Sequence, residues 1–270
     1  TSIAPAWIAT PAPQTYVNSV DVSADGSRIV AGTFWRDYAP PPANRVFGTF
    51  CYDGSGTLQW AVPVDTTCEG VYWTAIAPKG NVAASGGATQ HDPAGPLAGF
   101  LQIIDVASGA VTYENLKIEG RVSAVAFSED GSTLVACAGR AVYLASLSGS
   151  ACVRGLLPAQ VESQAVSVAI SPDGRWIVTG TATGVVHLFQ NAGGSLQPVR
   201  QWTMPQGLAW RSVCFSATGD WFAACGGNQG EAGIVALFNR AAFETGGQPQ
   251  WTQALPRISY AVALAARDAG

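Results

Sequence analysis

The chain has 270 residues, of which 48% are hydrophobic, 10% are aromatic and only 12% are charged. This apolar content is enough for a packed core and excludes an intrinsically disordered chain. The formal net charge is −4 and Lys and Arg form no cluster, which argues against nucleic acid as the main partner.

An internal repeat runs through the chain and predicts its fold. Each copy has a short apolar strand, a turn that ends in glycine and a second apolar strand, as in VAISPDGRWIVTG at residues 168–180. The turn glycines are Gly26, Gly80, Gly131, Gly174, Gly219 and Gly270. Their spacings of 54, 51, 43, 45 and 51 residues are typical of propeller blades built from strands.

The turns and the strands that follow them complete a four-stranded unit. Asp and Gly in the turn predict a tight hairpin, because Asp accepts bonds from nearby backbone and Gly adopts positive φ. A third apolar strand follows, and a fourth carries an aromatic residue in most copies: Trp60, Tyr113, Trp202 and Trp251. The repeat predicts an all-β β-propeller of four-stranded blades, at about 15–64, 70–116, 120–158, 163–205 and 208–255.

The two ends of the chain predict a split closing blade. Trp7 lies 19 residues before Gly26, close to the spacing of the other aromatic residues, so a segment near 4–10 is predicted to be an outer strand. Residues 258–270 are predicted to be the inner strand of the same blade. Since two strands are then missing, either the parent chain continues past Gly270 or the last blade is irregular. We expect continuation to six or seven blades, with 1–270 forming a single propeller domain.

At these residues the chain resembles WD-repeat β-propellers. The SPDG turn that ends at Gly174 is similar to the turn between their inner strands, although Phe189-Gln190 stands where a third strand would end in Trp-Asp. The family's His–Ser/Thr–Asp–Trp network is predicted to be absent, because the chain has two His and His187 lies within a third strand. The outer hairpins at 53–60 and 105–113 resemble the tryptophan-docking motif of quinoprotein-like propellers, in which the aromatic residue packs between blades.

Placing these residues on blades gathers aromatic and Arg side chains on one face. Long connections follow the second strands of the first two blades, and the starts of the inner strands add further residues of both types, which are enriched at binding hot spots. The predicted partner-binding residues are Trp35, Arg36, Asp37, Tyr38, Tyr72, Trp73, His91, Arg121, Trp210 and Arg211. For each aromatic residue at a strand start, packing between blades stays open as the alternative.

We expect a non-catalytic scaffold that binds a protein or peptide partner through this face. The alternatives are a quinoprotein-like redox protein or other enzyme that uses the central channel, and a carbohydrate-binding propeller. No catalytic residue, metal site or cofactor is predicted, because the acidic residues are spread out and two His are too few for a zinc site. The oligomeric state is left open.

The cysteines and the low charge bear on the compartment. The six Cys form no C-x-x-C pair and are predicted to be buried thiols, with disulfides as the alternative. No apolar run approaches the roughly 18 residues of a membrane span, so we expect no membrane-crossing segment. Low charge and many Trp favour an exported protein, periplasmic or secreted, over a cytoplasmic one.

Overall fold

The structure is a computed structural model that describes residues 5–11, 15–34, 46–64, 69–89, 98–204, 208–228 and 232–264. In these residues the strands form consecutive four-stranded antiparallel meanders, which confirms the predicted all-β propeller of four-stranded blades. The chain divides into two compact units. The first is Thr1–Val125 with Ser148–Cys152, and the second is Ala126–Leu147 with Val153–Gly270.

The first two blades lie close to their predicted positions. The first comprises β1 (Tyr16–Val22), β2 (Arg28–Phe34), β3 (Gly48–Asp53) and β4 (Leu58–Pro63). The second comprises β5 (Gly70–Ile76), β6 (Val82–Ala88), β7 (Ala98–Asp105) and β8 (Val111–Glu119). Strands pair in chain order within each blade, and one residue pair, Phe34 with Gly70, joins the two blades into a continuous sheet.

Three further four-stranded sheets follow. The third blade comprises β9 (Val122–Phe127), β10 (Thr133–Ala138), β11 (Ala141–Ser148) and β12 (Ala151–Gln160). The fourth comprises β13 (Ala165–Ile170), β14 (Trp176–Thr181), β15 (Val185–Asn191) and β16 (Leu196–Thr203). The fifth comprises β17 (Trp210–Phe215), β18 (Trp221–Gly227), β19 (Gly233–Asn239) and β20 (Trp251–Leu255), with a short helix α1 (Arg240–Glu244) before β20 that the repeat does not predict.

The inner hairpin turns have the chemistry that the repeat predicts. In the first blade Gly26 has a φ of 70°. Asp25 accepts hydrogen bonds from the Ser23 hydroxyl and the Ser27 backbone N–H at 2.7 and 3.0 Å. These bonds lower the pKa of Asp25 to about 2. The same Ser–Asp bond recurs in two later turns, at Ser128–Asp130 and Ser171–Asp173.

A glycine in the second strand of three blades receives a side chain from the next blade. A Cβ on Gly180 would lie 2.5 Å from the Cβ of Trp210, and one on Gly86 would lie 2.4 Å from Cγ1 of Val122. The same contact, at 2.6 Å, joins Gly32 to Val71. A larger residue would push the neighbouring strand away, so glycine is what permits the blades to pack this closely.

The inner strands of four blades carry a β-bulge near their first residues. The bulged residues are Asn18, Tyr72, Val166 and Arg211. A bulge inserts one unpaired residue and changes the direction in which its side chain points. In β5 and β17 the residue just before the bulge, Val71 or Trp210, is the one that packs on a glycine.

The outer strands hold the next blade through hydrogen-bond donors. The Trp60 indole lies over Gly109 and donates to the Val106 carbonyl oxygen at 2.7 Å. Equivalent bonds join Trp7 to Gly54, Arg154 to Gly193 and Trp202 to Gln248. Trp60 therefore packs as the docking-motif resemblance implies. In the second blade Thr112, the residue before Tyr113, donates to the Ser150 carbonyl oxygen at 2.6 Å, and in the third blade Arg154 stands in place of an aromatic residue. The quinoprotein-like assignment itself stays a prediction.

The described parts of the end segments contain no strand. Residues 5–11 pack on the first blade, where the rings of Trp7 and Tyr52 lie 6.0 Å apart. Residues 256–264 lie along the fifth blade, where the Val262 N–H donates to the Ser212 hydroxyl at 3.3 Å. Neither segment forms the strand predicted near 4–10 or over 258–270 in its described residues, and the closing blade stays a prediction.

Five of the six cysteines lie in the described residues, and none of these five forms a disulfide. They are Cys51, Cys137 and Cys225, which are buried, and Cys152 and Cys214, which are partly buried. Burial raises the pKa of the Cys51 thiol to about 11, so this group stays protonated at neutral pH. Cys68 lies outside the described residues.

Candidate partner-binding site

Three aromatic rings lie side by side at one end of the strands in the first unit. Tyr16 begins β1 and pairs across the ladder with Phe34, the last residue of β2, with ring centroids 6.2 Å apart. Tyr72, at the bulge of β5, meets Phe34 edge-on, with centroids 5.9 Å apart and planes at 80°. This arrangement suits the charge distribution of aromatic rings, so the three side chains form a continuous row.

Arg121 extends this row with a charged group. Its guanidinium lies over the Tyr72 ring, 4.9 Å from the centroid, and its Nε donates to Glu69 Oε2 at 3.1 Å. The Arg121 and Glu69 side chains are 28% and 20% exposed, so water screens this ion pair only in part. Tyr16, Phe34, Glu69, Tyr72 and Arg121 are called the aromatic–arginine cluster below. Because Arg121 is paired with Glu69, the cluster presents aromatic rings more than net positive charge.

The aromatic–arginine cluster is both accessible and held in place. Tyr16 is 47% exposed, and Trp73, which follows Tyr72 in β5, is 40% exposed. The Asn18 amide donates to the Tyr72 carbonyl oxygen, which fixes the two bulges against each other. Side chains that are already fixed by packing lose little conformational entropy when a partner binds.

The structure therefore brings together Tyr72 and Arg121 of the predicted residues. Trp73 follows Tyr72 in β5 and is exposed. Tyr16, Phe34 and Glu69 belong to the same cluster but are absent from the predicted set. The sequence indicates two of them in part, since Tyr16 stands at a strand start and Phe34 begins the long connection of the first blade. What joins them is the register of β1 on β2 and of β2 on β5.

The structure corrects the prediction for Trp210. This residue is fully buried, and its indole donates to the Gly184 carbonyl oxygen at 2.9 Å. It packs on Gly180, as Val71 packs on its glycine in the second blade. Trp210 cannot contact a partner there, because it lies one residue before the bulge, whereas Tyr72 lies on the bulge. Packing between blades is the correct interpretation of this residue.

The remaining predicted residues are not part of the described cluster. Arg211 lies in the second unit, partly buried, and its Nε has no hydrogen-bond partner within the described residues. The others lie outside the described residues: Trp35, Arg36, Asp37, Tyr38 and His91. Four of these follow Phe34 directly in the sequence.

A closed polar network lies at the end of the fourth blade where β13 begins. Glu162, in the connection before β13, accepts hydrogen bonds from the Thr181 and Thr183 hydroxyls at 2.7 and 3.0 Å. Its other oxygen lies 2.5 Å from Nε2 of His187 on β15. His187 is buried and stacks on Phe189, with ring centroids 5.9 Å apart. Every member of the network binds another member, so it offers a partner little that is unpaired.

This network sets the ionisation of Glu162. Partial burial alone would raise the pKa of Glu162, but the Thr181 hydroxyl and His187 outweigh burial and lower it. Sequence analysis missed this network. Glu162 and His187 are 25 residues apart and belong to no shared motif.

Asp21, the acid within an inner strand, joins two blades. Its Oδ2 accepts from the Ile76 N–H at 2.9 Å and its Oδ1 from the Val22 N–H at 2.9 Å. Burial raises the pKa of Asp21, while both hydrogen bonds oppose that shift. Nowhere in the described ranges do three or more His, Cys, Asp or Glu side chains gather in a way that could hold a metal ion.

Comparison with known families adds one finding. Residues 150–190 match the family described as WD domain, G-beta repeat (WD40). This segment of the chain is similar to a WD repeat. The matched segment runs from the turn before β12 into β15 and contains the Glu162 network. No curated protein matches the chain.

The WD repeat and the four-stranded blades together support a WD-repeat propeller. Domains of this kind are typically non-enzymatic scaffolds that bind other proteins. The described part of the chain has no helix with the length and apolarity that a membrane crossing requires.

Proposed function

We propose that this protein is a non-catalytic scaffold that binds a protein or peptide partner through the aromatic–arginine cluster of its first unit. The observation that carries the proposal is the row formed by Tyr16, Phe34, Tyr72 and Arg121, together with the exposed Trp73 that follows Tyr72. Tyr, Trp and Arg are the residue types that dominate binding energy at protein interfaces.

The chemistry of the cluster suits a peptide segment with an apolar side chain. The rings of Tyr16 and Phe34 offer apolar area that is already ordered, so little conformational entropy is lost on binding. Beside them, the Arg121–Glu69 pair offers a donor and an acceptor to the backbone of an extended peptide. A partner therefore gains apolar contact and hydrogen bonds at one place.

A displayed library of random linear peptides, selected on the immobilised protein, tests the proposal. For a selected peptide, Trp73→Ala and Tyr16→Ala are expected to weaken binding by about 10-fold or more, as measured by titration calorimetry. Arg121→Lys should also weaken it, because an ammonium group does not reproduce the planar guanidinium.

Trp251→Ala is the matched control, since Trp251 is 46% exposed and lies in the second unit. It is expected to leave peptide affinity unchanged. Binding that survives Trp73→Ala, Tyr16→Ala and Arg121→Lys, with circular dichroism showing the three variants folded, contradicts the proposal. So does a peptide whose binding depends on Trp251.

A further inference from the structure

The first and second blades pack face to face, and the face of the first blade carries two hydroxyl groups. Ser19 and Thr49 pair with Gly32 from its two sides, so all three residues point to the same face. A Cβ on Gly32 would lie 2.6 Å from Cγ1 of Val71, so this is the face that meets the second blade. The hydroxyl groups of Ser19 and Thr49 therefore lie in the space between the two blades, which is called the first seam below.

The second blade directs two further polar side chains into the first seam. Ser85 and Gln102 are directly opposite each other on β6 and β7. They stand two residues from Ala83 and Ile104, and side chains two residues apart on a strand point the same way. Ala83 and Ile104 pack in one apolar cluster with Cys51 of the first blade. Ser85 and Gln102 therefore face the first blade.

None of these four polar groups has a hydrogen-bond partner among the described residues. The unpartnered atoms are Oγ of Ser19, Oγ1 of Thr49, Oγ of Ser85 and Oε1 of Gln102. All four residues are buried, with at most 8% of any of them exposed. Gln102 donates through Nε2 to Glu114 Oε1 at 2.8 Å, so its amide oxygen is the acceptor that is left over. Buried polar groups are nearly always bonded, so four unbonded groups in one seam point to a ligand.

The seam between the fourth and fifth blades is different. Ser167 pairs with Gly180 as Ser19 pairs with its glycine, and the Ser167 hydroxyl is also unpartnered. The fifth blade presents Trp210 and Val213 to this seam, within a cluster that contains only apolar residues. A water molecule beside Ser167 would find a single side-chain hydroxyl, whereas the first seam offers four polar groups.

We propose that ordered water molecules occupy the first seam and are bound by Ser19, Thr49, Ser85 and Gln102. Water both donates and accepts, so it can donate to the Gln102 amide oxygen and accept from the hydroxyl groups. Buried water molecules typically make about three hydrogen bonds to polar groups that lack other partners, and these four groups can supply them. The four groups are uncharged, which favours a neutral ligand over an ion. The first two blades are then joined in part through water.

Substitutions that remove one hydroxyl group test this proposal by thermal denaturation. Thr49→Val keeps the shape of the side chain but loses the bond to water and leaves the water with fewer partners. Its thermal midpoint should fall by about 2–4 °C, and Ser85→Ala should act in the same direction. Ser167→Ala is the matched control. Because a buried hydroxyl without a partner costs free energy, its removal should leave the midpoint unchanged or raise it.

A high-resolution crystal structure of the full chain gives the direct result. We expect at least one water molecule within about 3.2 Å of two or more of the four unpartnered atoms. A seam without water, direct hydrogen bonds among the four side chains, or midpoints of Thr49→Val and Ser85→Ala that stay constant or rise overturns the proposal. Neither measurement involves a peptide, so the proposed binding by the aromatic–arginine cluster is tested separately.

Discussion

The second and fifth blades use aromatic residues at the start of the inner strand in different ways. In the second blade the residue before the bulge is Val71, which packs on a glycine, and the bulge presents Tyr72 to the surface. In the fifth blade the residue before the bulge is Trp210, which is buried, and the bulge carries Arg211. Position relative to the bulge, more than residue type, decides whether an aromatic side chain stabilises the fold or remains available for binding.

The largest expected effect comes from removing the buried indole. Trp210→Ala should lower the free energy of unfolding by about 3–5 kcal/mol, because it leaves a cavity beside Gly180 and removes one of the two hydrogen bonds that the Gly184 carbonyl oxygen accepts. Trp73→Ala, at an exposed site, should lower it by less than about 1 kcal/mol. Urea denaturation of both variants checks the contrast. Similar losses in the two would show that the bulge does not separate core from surface.

The sequence was sufficient for the blades because their signals are local. Turn glycines and alternating apolar residues predicted the fourth blade at 163–205, and its strands run from Ala165 to Thr203. The helix α1 was missed because its five residues are too few to show a helical period. The N-terminal segment has Trp7 at the expected aromatic spacing and the C-terminal segment has Gly270 at the expected glycine spacing, but spacing alone does not supply a strand to pair with.

The candidate site was predicted only in part, for a physical reason. Tyr72 and Arg121 were found because each stands at or before a strand start. The row they form with Tyr16 and Phe34 depends on which residues face each other across strands, and Trp210 was misplaced because nothing in its local sequence marks the bulge. Register is a property of paired strands, which a single strand does not encode.

A smaller effect is expected from comparing two outer-hairpin glycines, Gly109, which has a Trp ring packed over it, and Gly149, which has no described atom over it. Gly109 and Gly149 have φ of 71° and 62°, so alanine should cost about 1 kcal/mol of backbone strain at either position. Only Gly109→Ala also meets the Trp60 ring, at 2.8 Å, which should add about 1–3 kcal/mol. Thermal denaturation of dilute protein measures the difference. Equal losses would mean that the Trp60 contact does not hold the blade.

The smallest expected effect concerns the polar network of Glu162 and His187. This network lies in the fourth blade at the place where the second blade has aromatic rings. At about pH 7, Glu162→Gln should lower the thermal midpoint by about 3 °C, since it removes a charge-assisted bond to His187 worth about 1 kcal/mol at a partly exposed site. The exposed Glu129→Gln serves as the control and should leave the midpoint unchanged.

The pH dependence of that difference follows from the lowered pKa of Glu162. A carboxyl group whose pKa is lower in the folded protein stabilises it above the unfolded pKa, about 4.3, and loses this contribution as the pH falls through the folded value. Midpoints of wild type and Glu162→Gln should therefore converge on acidification. A gap that stays constant down to about pH 3 would show that the charge of Glu162 contributes nothing.

The bulges leave the inner strands with positions whose residue type differs from blade to blade, although Asn18 also holds the bulge of the second blade in place. Equivalent places are occupied by an amide, a phenol, an aliphatic group and a guanidinium, at Asn18, Tyr72, Val166 and Arg211. In the blades where glycine fixes a neighbour, the constrained residue is the preceding one, so substitution at the bulge does not disturb that contact. Selection for a new partner can act on these positions while the architecture is inherited unchanged, and proteins that share this fold can therefore diverge in what they recognise.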